Sequence, residues 1–273
     1  MKVIHTLPNA YFHLQEQYSD GYLILAHEFL QNPTYKKLVM ERVPKWTIAD
    51  NGAYEKGRPV DFKELIDIAH QINADVLVLP DVFYDMKATL NNYEKFLKHA
   101  PKDIQLLAPV QGTTPAEILK CFLELYLTSE IDIIGLSFLV CERCFSQVTG
   151  KRGVAPNRIF FVRLLCRLGL TQKRLHLLGC GNPDELICQR RFPFVFSFDS
   201  SVAYVATKHR VRLWEDIHFE REDFSKLNLN EKPDLQVEHL IKNMKAVSLA
   251  GGAGWDSYIR EEGGESYECR SES

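Results

Sequence analysis

No stretch of this 273-residue chain approaches the roughly 20 consecutive apolar residues that a membrane-spanning helix needs. The N-terminus has no basic segment leading into an apolar one, so no export signal is expected. The seven cysteines are an odd number, and without an export signal they imply a reducing cytoplasm and free thiols, not a disulfide framework. There is no internal repeat and no linker that would set off a second domain. What is present is a hydrophobic content of 45%, enough for one large core, and a single α/β barrel would use nearly all of the chain.

The formal net charge of −3 conceals an asymmetry. Between Lys151 and Arg212 there are 12 Lys+Arg and 3 Asp+Glu, leaving 21 of the 33 basic residues against 33 of the 36 acidic ones elsewhere. A basic segment on an acidic protein points to a polyanionic partner; a solvated charged face on several helices is the alternative. Lys151, Arg152, Arg158, Arg163, Arg190, Arg191, Lys208 and Arg210 are the candidate phosphate contacts, about half of which are expected to be ordinary surface.

Eight short apolar runs recur, each ending in a polar or Gly-containing turn: Val3–Leu7, Tyr22–Ala26, Trp46–Ala49, Val76–Leu79, Gln105–Val110, Ile131–Ile134, Leu175–Leu178 and Phe194–Phe198. They are nearly continuous, as expected of parallel strands covered on both faces. Segments of helical period lie between them, over 61–70, 89–99, 115–127, 157–168, 183–189 and 234–249. Thr114 followed by Pro115 reads as a cap and first helical position. Alternation of strand and helix with eight strands predicts a (β/α)8 barrel over residues 1–255, with a doubly wound open sheet as the alternative. From 256 to 273 the chain is rich in Glu, Ser and Gly and is expected to be a disordered tail.

In a parallel barrel all the strand ends meet at one mouth. Asp50, Asp81 and Asp199 each follow an apolar run; other runs end at Gln111-Gly112, at Gly135 and at Gly179-Cys-Gly181. Asp85 is a competitor for Asp81, which is preferred because it directly follows its run. One such aspartate would be read as a turn or helix cap. Three aspartates with a glutamine and glycines describe a polar pocket suited to a purine of the guanine type. A carboxylate can accept from N1–H and the 2-amino group side by side, an amide or backbone N–H can donate to O6, and Tyr54 can stack on the ring. The two remaining carboxylates can divide nucleophilic and acid/base work. Gly179-Cys-Gly181 reads as a tight strand-to-helix turn, His176 as a core or supporting histidine, and His27 as a strand-end polar residue near the mouth.

Asp50-Asn-Gly-Ala-Tyr-Glu55 resembles the Asp-Ser-Gly-Gly-Phe/Tyr-Gln motif of the tRNA-guanine transglycosylases. Pro109-Val-Gln-Gly112 is similar to their Val-Gln-Gly, and His176-Leu-Leu-Gly-Cys-Gly-Asn-Pro183 to their His-Leu-x-Gly-x-Gly-x-Pro. Phe198-Asp-Ser-Ser-Val-Ala-Tyr-Val-Ala206 is similar to the Phe-Asp-Ser-Ala-Ser-Tyr-Ala segment of the archaeal branch. The four stretches occur in family order over about Trp46 to Ala206. The resemblance implies Asp199 as nucleophile toward C1′ of the target guanosine and Asp50 as general acid/base. It implies Asp81 as reader of the N1 and 2-amino edge, Gln111 and the Gly135 N–H as partners of O6, and Tyr54 and Leu178 as the ring sandwich, with Asn51, Gly112 and Gly179 also at the base.

The chain departs from the tRNA-acting members in one respect that bears on substrate. They carry a Cys-x-Cys-x-x-Cys zinc site after the nucleophile, whereas only Cys269 follows Asp199 here. Cys141-Glu-Arg-Cys144 lacks a second pair and is a weak zinc signal, so two thiols in a βα loop and no metal or other cofactor are expected. This pattern resembles the compact 7-deazaguanine DNA transglycosylases of bacteriophages. The implied partners are DNA and a free 7-deazaguanine base, and the implied location is the cytoplasm, that of the host if the chain is phage-encoded. The same chemistry on tRNA is the first alternative and a non-catalytic nucleic-acid-binding subunit the second.

Overall fold

All eight apolar runs form strands in a computed structural model of the chain, which describes residues 1–151, 153–216, 219, 228–231 and 234–252. They are β1 (Lys2–His5), β2 (Gly21–Leu25), β3 (Trp46–Asp50), β4 (Val76–Val78), β5 (Gln105–Pro109), β6 (Ile133–Ser137), β7 (Arg174–Leu178) and β8 (Val195–Ser200). Every ladder is parallel, and β1 pairs with β8. First and last strand being neighbours turns the sheet into a nearly closed (β/α)8 barrel and excludes the doubly wound open sheet. The remaining seam, between β1 and β2, is bridged by Asp20 and Ser19. The Asp20 N–H donates to the Val3 carbonyl at 2.8 Å, and Asp20 Oδ2 and Ser19 Oγ accept from the Val3 and His5 N–H groups at 2.8 and 2.9 Å.

Strand alternation sorts side chains to two cores. Ile4, Ile48, Val76, Val78, Leu107 and Ile133 fill the barrel interior. Their neighbours, such as Ala49, Leu77, Ala108, Ile134 and Phe198, face the surrounding helices. The N-terminal end of the barrel is plugged by Trp46 and Phe196, edge to face at 5.5 Å, with Lys2 over Trp46 at 5.4 Å and Arg174 over Phe196 at 4.8 Å. That leaves the carboxyl ends of the strands as the open end. Because Ile48 points inward, Asp50, two residues on, points inward too and at the mouth.

The predicted helices are present at Phe62–Gln71, Met86–Leu97, Pro115–Leu127, Val154–Arg167, Pro183–Gln189 and Val237–Gly251. Thr114 caps the third, accepting from the Glu117 N–H at 3.2 Å, an interaction worth about 1 kcal/mol. Two expectations need correction. Gly135 is not a strand end: β6 runs on to Ser137, and Gly135 is internal because a Cβ there would lie 2.8 Å from both Leu107 Cδ2 and Leu178 Cδ1. Cys141 and Cys144 are not in a loop but on the buried face of an additional helix, Phe138–Thr149, which starts directly from β6. The expected tail, 256–273, lies outside the described residues.

Candidate functional site

At the mouth the strand ends enclose a cavity of about 150 Å³, the order of size that takes a single aromatic ring. Asp50, Asn51, Tyr54, Asp81, Gln111, Leu178, Gly179 and Asp199 all line it. Five separate strand ends contribute these residues, so the grouping is made by the closure of the barrel and not by proximity in sequence. Tyr54, Phe83 and Phe138 form an aromatic wall, with Tyr54 ring centroids 5.8 Å from Phe83 and 6.3 Å from Phe138.

The half of the mouth formed by β3, β4 and β5 is built on Asp81. This carboxylate is only 4% exposed. Its Oδ1 accepts from Asn51 Nδ2 at 2.8 Å and its Oδ2 from Gln111 Nε2 at 2.5 Å. Asn51 is fully committed as a donor, giving its other amide hydrogen to the Leu79 carbonyl at 2.6 Å, while its Oδ1 accepts from the Ala53 N–H at 2.7 Å. Gln111 Oε1 accepts from the Tyr84 N–H at 2.9 Å, which fixes the amide so that Nε2 faces Asp81. Burial pushes the Asp81 pKa up to about 6 against the opposing pull of Asn51 and Gln111. Asp85 is elsewhere: it caps Met86–Leu97, accepting from the Ala88 N–H at 2.9 Å.

Asp50 stands at the end of β3, where its Oδ2 accepts from the Gly52 N–H at 2.9 Å. Gly52 has φ 72°, and a Cβ would sit 2.6 Å from His27 Nδ1, so only glycine fits this turn. His27 itself is buried beside Glu28, behind the turn and outside the cavity wall. The Asp50 pKa is raised well above the usual carboxylate range, first by burial and then by the charges of Glu55, Asp199 and Asp81. Glu55 also lines the cavity.

The other half, β7 and β8, holds Asp199. Its Oδ1 accepts from the Gly179 N–H at 3.0 Å and lies 3.1 Å from His176 Nε2. His176 Nδ1 is in turn 2.8 Å from Ser197 Oγ. Both contacts fall on Oδ1, and among the described residues no hydrogen bond reaches Oδ2, which is left for a ligand. Gly179 has φ 65° and lies against Phe138, whose Cε1 would be 2.5 Å from an added Cβ.

Arg158 anchors this turn from behind, and its placement overturns its reading as a phosphate contact. It is fully buried, paired with Glu185 through Nε to Oε1 at 2.6 Å and through Nη2 to Oε2 at 2.8 Å. It also donates to the carbonyls of Leu136, Leu178 and Gly179 at 2.9, 2.8 and 3.0 Å. Burial alone disfavours the charged guanidinium, yet Glu185 raises its pKa above the usual value. The ends of β6 and β7 are thus held by one buried ion pair.

No protein-family model matches the chain, and none of the curated proteins compared with it is similar enough to match.

Among the described residues the basic stretch does not form a continuous rim. Arg190 and Arg191 follow the helix that descends from the mouth, so they lie toward the plugged end, donating to the carbonyls of Gly252 and Cys188, both at 2.9 Å. Lys208 pairs with Glu231 at 2.6 Å. Lys151 is exposed in the connection after Phe138–Thr149, and Arg210 lines a groove that also contains Glu215, Asp234 and Glu238. Arg152 lies outside the described residues.

Gly112 and Gly135 are not in the cavity wall. A Cβ at Gly112 would lie 2.9 Å from the Ile118 nitrogen, so glycine is needed where the loop after β5 meets Pro115–Leu127, and Gly135 makes room inside the barrel. Burial pushes the thiols of Cys141 and Cys144 up, the latter to about 12, and among the described residues no cluster of three or more His, Cys, Asp and Glu could hold a metal ion. Sequence reasoning missed Glu55, Phe83 and Phe138 as wall residues. Glu55 directly follows the predicted site residue Tyr54, and Phe83 lies two residues after Asp81, so the immediate neighbours of predicted site positions carried the signal.

Proposed function

We propose that this chain is a base-exchanging transglycosylase that replaces guanine in DNA with a 7-deazaguanine through a glycosyl–aspartate intermediate. One observation carries the reading: four carboxylates line one ring-sized cavity, and the three at strand ends, Asp50, Asp81 and Asp199, each have a different set of donors. Asp199, with Oδ2 left over, suits attack on C1′. The C1′–Oδ2 bond forms as the C1′–N9 bond breaks, and the electron pair leaves on guanine. Asp50, whose raised pKa keeps a proton available, supplies it to the departing base. Once Asp199 is esterified its charge is gone, one of the influences raising the Asp50 pKa is removed, and Asp50 is better disposed to remain ionised. It then takes the N9 proton of the incoming base, whose N9 displaces Asp199 from C1′.

Asp81, fixed by two amides, accepts from N1–H and the 2-amino group. Gln111 retains one amide hydrogen for O6, and Tyr54 and Leu178 border the ring. Reaching this cavity requires the nucleotide to leave its stack, at a few kcal/mol. The catalytic motifs do not choose between DNA and tRNA. The choice of DNA rests on the lack of the Cys-x-Cys-x-x-Cys stretch between Asp199 and Ser273, the pattern that resembles the compact DNA-modifying enzymes, and the dispersed basic residues add nothing to it. The test is incorporation of labelled guanine into duplex DNA, single-stranded DNA and unmodified tRNA in parallel. Exchange into DNA should be at least about tenfold faster, roughly 1.4 kcal/mol in barrier. Equal or faster exchange into tRNA would overturn the DNA assignment, and exchange into none would overturn the transglycosylase reading.

A further inference from the structure

The cavity's aromatic wall continues outward to the rim. Phe83, in the wall, meets Tyr84 edge to face at 5.6 Å, and Tyr84 is 37% exposed. Tyr84 has φ 62°, a conformation that costs a non-glycine residue free energy and persists only when its surroundings enforce it. Here the enforcing contact is its N–H to Gln111 Oε1, so the rim residue is tied to the amide that faces Asp81. The Arg143 guanidinium lies 5.9 Å from the Tyr84 ring centroid. Arg143 is exposed on Phe138–Thr149, the helix inserted between β6 and the barrel helix Val154–Arg167. Lys87, also exposed, is in the first turn of the helix that follows Tyr84.

We propose that Tyr84, Arg143 and Lys87 form a binding site for the nucleotides flanking the extruded guanosine. The neighbouring base stacks on Tyr84, and Arg143 and Lys87 contact the phosphates on either side. This inference rests on the proposed polynucleotide substrate and names the surface that holds it. Three features favour a single-stranded or unstacked segment over a folded duplex surface. An exposed ring offers a π-face to any base, cations stand beside it, and the aromatic path from Tyr54 through Phe83 connects the rim to the cavity that takes the target base. None of the three is among the basic-segment residues that sequence pointed to, because all three precede Lys151 in the chain.

The test is fluorescence anisotropy of the full chain with a labelled single-stranded DNA oligonucleotide over a range of salt concentrations, which needs no turnover. Tyr84→Asn tolerates the positive φ but removes the ring, and should weaken binding about tenfold. Tyr84→Phe keeps the ring and should bind like wild type. Arg143→Gln should weaken binding and lower the slope of log K against log salt by about 0.7. Arg191→Gln, toward the plugged end, should leave both unchanged. If Tyr84→Asn and Arg143→Gln bind as tightly as wild type with the same slope, the rim site is wrong while the proposed activity stands. If the wild type binds no oligonucleotide, the polynucleotide reading itself falls.

Discussion

The two halves of the mouth hold their aspartates in opposite ways. Asp81 has both oxygens engaged by neutral side-chain amides that are themselves fixed by backbone groups. Asp199 has one oxygen engaged by a backbone N–H and a histidine, and the other left over. A carboxylate held at both oxygens is a rigid acceptor, able to receive further donors in a fixed plane but poorly placed to form a covalent bond. A carboxylate held at one oxygen keeps its orientation while the second oxygen is available to react. The same residue type at equivalent strand ends is therefore differentiated by its supports, and Asp50, between them, is differentiated by the charges around it.

The largest effect expected short of losing the nucleophile is at Asp50. Asp50→Ala should lower turnover by about 10²–10⁴-fold while guanine binding is largely kept, because Asp81 and its amides are untouched. Turnover measured with base affinity by calorimetry checks this; equal losses in both would merge the two roles that the comparison separates.

Arg158 probes the β7–β8 half. Arg158→Leu leaves Glu185 buried without its partner and frees the Leu136, Leu178 and Gly179 carbonyls, so unfolding free energy should fall by about 3–5 kcal/mol. The double variant Arg158→Met with Glu185→Leu should recover part of that stability but not exchange activity, since the Gly179 turn that donates to Asp199 has still lost its anchor. Denaturant melts combined with exchange assays distinguish these outcomes.

Asp81 gives a smaller, pH-dependent effect with two opposite signs. In the proposed function Asp81, ionised above about pH 6, is the acceptor for the N1–H and 2-amino donors, so guanine affinity should rise as pH increases through that value and decline below it. Stability goes the other way. The folded pKa is raised above the ordinary value near 4, so this group's contribution is full below about pH 4 and lost as pH rises through about 6, roughly 3 kcal/mol in all. Asp81→Asn should remove both dependences. A wild-type stability profile parallel to that of Asp81→Asn between pH 4 and 6 would contradict the assigned environment.

The fold was legible because parallel strands covered on both faces leave continuous apolar runs, and eight of them stand out from the polar turns between. The clustering of Asp50, Asp81, Gln111 and Asp199 was legible for the same reason: each ends a run, and a parallel barrel brings run ends together. What supports them was not. Arg158 and Glu185 are 27 residues apart, and nothing local tells a buried, paired arginine from an exposed one. Counting charge along the chain therefore overstated the positive surface. The helix Phe138–Thr149 was illegible because Ser137, the last residue of β6, is also its cap position, so no turn signal separates strand from helix. Gly135 was misread because a glycine inside a strand, there to admit Leu107 and Leu178, looks in sequence like a terminus.

The covalent step is the most direct test of the account. Wild-type protein mixed with a guanine-containing oligonucleotide, denatured and digested, should yield an Asp199 peptide whose mass is increased by the base-free strand, and Asp199→Asn should yield none while retaining the wild-type fold by circular dichroism. An adduct carried by Asp50 or another residue, or near-wild-type exchange by Asp199→Asn, would contradict the assignment of Asp199 as the nucleophile.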